Sequence, residues 1–345
     1  MAKISKANIT ISDIAESAGV SKATVSRVLN SPELVDEKTR EKIEKVIKEN
    51  HYSPSATARN LSKQISSTIG VIVPEISNTF FGELFEGIEE ITNKNNLSLL
   101  YCSNDDNKEK DFKALDMMRT QRVRGLIYIP AVNYKELGLL KQVQQRLDGL
   151  AGPVICVDRS IGLRCDEIYF NDRKAMYEAV KALAVDGHKR IAIINGSKQN
   201  VLAEERHNGY IDGLKESGIE VDESIIFRGD YKYSSAYSMT KQMIKLENQP
   251  TAVITCNNSI SKGFLKAIYE TGKSIPDAYM HIGLDKIEML NLLGIPYNHI
   301  ERDSYELGKR AVEILINRIA FPETKLQQVV LQAELELQTC RLVKM

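Results

Sequence analysis

Long apolar runs are missing from this chain. None approaches the length that a membrane-spanning helix needs, so no spanning segment is expected. The N-terminal stretch MAKISKANITIS is polar and has no apolar centre, which argues against a secretory leader. Cysteine pairs are also missing. Cys102, Cys156, Cys165, Cys256 and Cys340 are scattered, with no C-x-x-C spacing. They read as small core residues in a reducing compartment rather than as staples or metal ligands. His51, His188, His207, His281 and His299 form no H-E-x-x-H or other ligand spacing. No nucleophile elbow, phosphate-binding P-loop or G-x-G-x-x-G occurs. These absences lead to an expectation of a cytoplasmic protein that is not an enzyme, with no cofactor, no metal, no catalytic residue and no membrane partner.

Net charge is missing too: 46 Lys plus Arg balance 46 Asp plus Glu. Its distribution is uneven. Residues 1–64 hold 11 Lys plus Arg against 8 Asp plus Glu, a local excess of +3, so the remainder carries −3. Steering of a polyanion would therefore be local to the N-terminal end. At 345 residues the chain is long enough for two or three domains, and 43% hydrophobic content is ordinary for a globular protein.

What is present begins with Thr10 to Asn30, TISDIAESAGVSKATVSRVLN. Ile11, Ile14, Ala15 and Ala18 recur at helical spacing, and Thr10 with Asp13 forms a capping-box start. Gly19 permits the positive φ that ends the helix. Ser21 caps a second helix whose inner face is Val25, Val28 and Leu29. Its outer face carries Lys22, Ala23, Ser26 and Arg27. Small and polar with two cations, that face suits a helix entering the DNA major groove; the plain alternative is a helical hairpin with a solvated face. Asp36 caps a third helix. The head's core is expected to be Ile14, Ala18, Val20, Val25, Val28, Leu34, Ile43, Ile47 and Tyr52. The next stretch, SPSATARNLSKQISST, holds one or two helical turns, too few to persist alone. It is either a segment that folds on docking or a plain linker.

From Thr68 the pattern becomes strand, helix, strand. Strands are expected at 69–73, 97–102, 125–129 and 154–158, with helices at 80–93, 111–122 and 134–147. After a loop the rhythm restarts with a helix at 172–186 and strands at 190–194, 225–228, 251–255 and 279–283. A helix at 304–319 and one alternating strand, 329–337, end the chain. Such alternation means parallel sheets covered on both faces, with ligands at the carboxyl ends of the strands.

The helix pair, then SPSATARNL at Ser53 to Leu61, then IGVIVPEISNTFFGELFEGIEE from Ile69, together resemble the LacI/GalR family of bacterial transcription regulators. The resemblance covers nearly the whole chain. It implies a small all-α helix-turn-helix head, residues 1–52, and a hinge helix and linker, residues 53–67. An α/β core of two doubly wound parallel-sheet lobes, like periplasmic binding proteins, fills residues 68–345. Lobe 1 would take about 68–165 and 302–325, and lobe 2 about 166–301 and 326–345. In the family the hinge leucine, here Leu61, wedges into the minor groove. The chain ends at QTCRLVKM with no heptad tail, so a homodimer is expected.

The expected function is a dimeric repressor of double-stranded operator DNA, controlled by a small molecule between the lobes, with a sugar favoured. Lys22, Ala23 and Arg27 would read bases, and Ser21, Thr24, Ser26 and Asn30 would cap the helix or hold phosphates. Effector candidates sit at strand ends: Ser77, Asn78 and Phe80 after the first strand, Arg206, Tyr231, Asn257 and Asp285. Arg206 matches the family's clamping arginine, and Asp285 its hydrogen-bond acceptor. Asn258 stands where the family has an acid, and Lys286 is expected to point to solvent. Asp158 and Arg159 are lesser candidates. Two rivals remain: a periplasmic-type solute-binding protein, and a regulator controlled by a protein partner.

Overall fold

The computed structural model describes residues 9–50, 52, 66–273, 275 and 278–338. Contacts divide it into two units, Met1–Ser66 and Ser67–Met345. In the first, α1 (Ile11–Ala18) opens with a full capping box: Thr10 accepts from the Asp13 amide, and Asp13 accepts from the Thr10 amide at 2.7 Å. Gly19 ends it at φ 66°. Ser21 caps α2 (Lys22–Asn30) and Asp36 caps α3 (Glu37–Glu49). Ile14, Ala15, Ala18, Val25, Val28 and Ile43 are buried together, with Val20, Ile47 and Tyr52 packed on them. Leu34 departs from expectation. It is 73% exposed, because Pro32–Leu34 forms a short 3-10 turn and the following Val35 packs inward instead.

The second unit holds two six-stranded sheets. The first runs β11-β5-β4-β3-β1-β2, from strands β1 (Thr68–Val73), β2 (Ser98–Ser103), β3 (Gly125–Tyr128), β4 (Val154–Val157), β5 (Asp166–Phe170) and β11 (Gln328–Leu331). Its pairs are all parallel. Side chains alternate across it. Val71, Ile127, Ile155 and Ile168 face α4 (Thr79–Lys94) and α12 (Ser304–Ala320). Ile72, Leu126 and Cys156 face α5 (Lys108–Thr120) and α6 (Leu140–Asp148). Both faces are covered, which is why these strands read as unbroken apolar runs.

The second sheet runs β12-β10-β9-β8-β6-β7, from β6 (Ile191–Asn195), β7 (Ile226–Arg228), β8 (Ala252–Thr255), β9 (Met280–Leu284), β10 (Asn298–Glu301) and β12 (Glu334–Glu336). Helices α7 (Asp172–Val185), α8 (Val201–Glu216), α9 (Tyr233–Met243) and α10 (Asn258–Tyr269) accompany it, and α11 (Glu288–Leu292) lies between β9 and β10. Among the described strands only β12 runs antiparallel, against β10.

Three expectations change. The single strand expected at 329–337 is two strands, β11 in the first sheet and β12 in the second, separated by Gln332 and Ala333. The chain therefore crosses between lobes there, not near 325. β5 pairs with β4, so the first crossing falls at Asn171 rather than 165. The helix expected from 134 begins only at Leu140. Its first turn is lost because the Tyr134 hydroxyl is tied to Asp111 at 2.6 Å and Gly138 sits at φ 67°.

Candidate functional site

In the head, α2 presents Ser21, Lys22, Ala23 and Arg27 as exposed residues, with Thr24 and Ser26 half-buried. The Ser21 hydroxyl accepts from the Thr24 amide at 3.1 Å and shares a 2.8 Å bond with the Thr24 hydroxyl. That fixes the first turn and leaves the two cations forward. The Asn30 side chain and Leu61, with the rest of the proposed hinge, lie outside the described residues.

In the core, a cavity of about 280 Å³ opens at the carboxyl ends of strands from both sheets. Asn78, Phe80, Arg206, Tyr231, Asn257 and Asp285 all line it. Ser77 does not: it is exposed and bonds Glu75 at 3.3 Å. Among the described residues, seven non-glycine residues have positive φ, and five of them line this cavity: Asp105, Asp106, Asp158, Tyr231 and Asp285. Such backbone is costly for side-chain-bearing residues and persists where the surroundings impose it, commonly at functional sites.

A chain of buried ion pairs joins these walls. Arg302, just after β10, donates from Nε and Nη2 to the two oxygens of Asp285, each at 2.8 Å. Its Nη1 lies 3.4 Å from Asp158 and 3.6 Å from Asp172. The guanidinium stacks on Phe80, 4.1 Å from the ring centre. The Phe80 face expected to receive a ligand is thus covered by protein. Burial works against the charge on Arg302, but Asp285 and Asp172 more than offset it and raise its pKa.

Arg206 is likewise engaged. It donates from Nε and Nη2 to Asp172 at 3.1 and 3.0 Å, and from Nη1 to the Cys256 carbonyl at 2.8 Å and the Tyr231 hydroxyl at 3.3 Å. Tyr231 lies over Gly196; a Cβ there would stand 2.1 Å from the ring. Asn257 caps α10 and donates to the Tyr231 carbonyl at 3.2 Å. Arg159 bonds Asp106 and the carbonyls of Pro130 and Ala131. Burial pushes the Asp158 carboxyl up, opposed by Arg302 and Arg159. Lys286 does not simply face solvent, since it bridges Glu83 and Glu301, each at 3.3 Å.

Reading strand ends one at a time missed Arg302, Asp172 and Asp106. Arg302 follows a four-residue strand of mixed polarity, Asn298–Glu301, that carries little apolar signal. Among the described residues no group of three His, Cys, Asp or Glu is arranged to hold a metal ion, and no helix is long and apolar enough to cross a membrane.

A helix pair with an exposed cationic second helix, and a two-lobed α/β core with a polar cavity at its strand ends, define a ligand-responsive transcription regulator. Comparison with known proteins agrees. Residues 10–55 match the model for bacterial regulatory proteins of the lacI family, and residues 66–339 match that for periplasmic binding proteins and the sugar binding domain of the LacI family. The HTH-type transcriptional repressor PurR of Vibrio atlanticus is 33% identical over 90% of this chain and 92% of its own length. The lac repressor dimer bound to operator and the anti-inducer ONPF superposes with a TM-score of 0.84 at 27% identity, covering 97% of this chain and 99% of that one. A LacI family regulator from Enterococcus faecium with bound ribose gives 0.67 at 27% identity, over 78% and 96%. The chain belongs to the LacI family. It is a DNA-binding transcriptional repressor with an effector-binding core.

Proposed function

We propose that this repressor works as a homodimer whose operator affinity is set by a sugar-like small molecule held between the core lobes. The observation that carries the reading is the cavity itself, where residues from both sheets converge with strained backbone. A ligand there touches both lobes, so it acts by favouring one lobe arrangement over another. Lys22, Ala23 and Arg27 take the base edges; Ser21, Thr24 and Ser26 position the helix against phosphates. A sugar is favoured by the density of polar side chains in the cavity and by the ribose complex of the Enterococcus faecium regulator.

Dimerisation is supported by an exposed apolar patch on lobe 2: Met289, Leu292, Leu293 and Ile295, between 45% and 79% exposed within seven residues. Such a patch suits a second copy. Leu292→Glu is expected to shift the protein to monomers in sedimentation analysis; an unchanged dimer would reject this face. The effector reading is tested by melting the full chain with sugars and nucleosides, since a ligand of the folded state raises the melting temperature. Positive members are then tested for a change in operator affinity. A ligand that stabilises the core but leaves operator binding unaltered would reject control through the cleft.

A further inference from the structure

We infer that the cleft excludes phosphorylated and carboxylated ligands and takes an uncharged one rich in hydroxyl groups. This rests on the cleft being the effector site. Each guanidinium in the lining already has an internal carboxylate: Arg302 has Asp285, Arg206 has Asp172, and Arg159 has Asp106. Arg206 and Arg159 donate to backbone carbonyls as well. Among the described residues, the one other cation lining the cavity is Lys232, whose side chain is 61% exposed and stands 3.8 Å from Asp105. Against these four cations the lining sets six acids: Glu75, Asp105, Asp106, Asp158, Asp230 and Asp285. An anionic group at Arg302 or Arg206 would have to displace a buried carboxylate from its closest counter-charge, and at Arg159 it would have to displace the half-buried Asp106, in each case beside further acids. Breaking one partner from a buried pair is the costly case, and like charge at short range adds to it.

The unmet hydrogen-bonding capacity points the same way. Arg159 Nε is buried with no hydrogen-bond partner. It stands 4.0 Å from an Asp158 oxygen, too far for a direct bond. The other Asp158 oxygen holds Arg302 only at 3.4 Å. A hydroxyl group both donates and accepts, so one hydroxyl set between them would accept from Arg159 and donate to Asp158. A carboxylate or phosphate dianion could satisfy only the first.

The test uses inorganic phosphate as the probe, with the full chain and calorimetry. Asp285→Asn frees Arg302, and Asp106→Asn frees Arg159 through a side chain that is 35% exposed, a milder change should the first variant fail to fold. The expected result is at least about tenfold tighter phosphate binding by a folded variant than by the parent protein. In parallel, ribose, glucose and adenosine are each compared with their monophosphates by melting. Charge exclusion is overturned if the parent binds phosphate as tightly as the variants, or if any monophosphate stabilises more than its uncharged parent. The effector reading fails separately: the variants gain phosphate binding, yet no uncharged compound alters operator affinity.

Discussion

Arg206 shows what one residue's position in sequence tells and what it conceals. Its motif announced a cleft residue at a strand end; it does line the cavity, but from within α8 rather than from a strand end. Its partner, Asp172, begins α7 at 34 positions' distance, and nothing local links the two. The pair is buried on both sides, 3% and 2% exposed. Arg206→Ala therefore strips the buried Asp172 of its hydrogen-bonded counter-charge and leaves it only Arg302, 3.6 Å away and already bonded to Asp285. The expected loss of core stability is about 3–5 kcal/mol, read from denaturant unfolding. Loss of effector response in this variant would then reflect the scaffold as well as contact; a loss below about 1 kcal/mol would show that Asp172 finds another partner. His281 carries a second residue-scale consequence. It is buried among Phe264, Tyr297 and Thr255, and burial pushes its pKa down to about 3. A depressed folded pKa means the unfolded chain binds the proton first. The stabilising effect is present above the unfolded value near 6.5 and is lost as pH falls towards 3, at about 1.4 kcal/mol per pH unit. The stability difference between the parent and His281→Gln should narrow by about 1 kcal/mol from pH 6.5 to 5.5 and by nearly the full slope over the next unit. A constant difference would place the ring in contact with water.

At the scale of elements, caps and periodicity were legible because their causes are local. Thr10, Ser21 and Asp36 each cap the helix expected of them. The errors fell where tertiary contacts decide. Tyr134 looked like a helix start until its hydroxyl joined the buried Asp111 cluster with Tyr128, both at 2.6 Å. The last strand alternated well enough to read as one, yet its two halves pair with different sheets. Periodicity reports a face and not a partner. The Ser21 cap has a consequence for DNA reading, since its bonds to Thr24 hold the turn that carries Lys22 and Ala23. Ser21→Ala is expected to cost the head about 1 kcal/mol, visible as a lower melting midpoint for its helices in circular dichroism. Ser21→Asn, an equivalent cap, should restore that midpoint. If both variants melt like the parent, the cap does not support this helix.

For the core as a whole, the two lobes meet directly as well as through the cavity. Asn258, at the start of α10 in lobe 2, donates its amide to the Thr79 hydroxyl at 2.6 Å and to Asn78 Oδ1 at 3.1 Å, both at the start of α4 in lobe 1. The residue is fully buried. This position drew notice in the sequence only as an asparagine where the resembled family carries an acid. The geometry gives it a role, because an aspartate has no amide to donate and would set a carboxylate against the Asn78 oxygen. That oxygen already accepts from the Phe80 amide at 3.0 Å. The Asn133 amide donating to the Gln199 carbonyl at 3.1 Å and Lys286 reaching Glu83 at 3.3 Å add further contacts between the lobes. Closed lobes are thus supported by the protein itself, and a ligand need supply only part of the difference between arrangements. Asn258→Asp should loosen the unliganded core. Hydrogen exchange in peptides spanning 78–85 and 257–264 is expected to quicken roughly tenfold, the effect of losing about one buried hydrogen bond. Asn258→Ala, which removes the donor without adding charge, should fall between the two. If exchange in both segments stays at the parent rate, the clasp does not hold the lobes, and their closure rests on the arginine–carboxylate chain behind it.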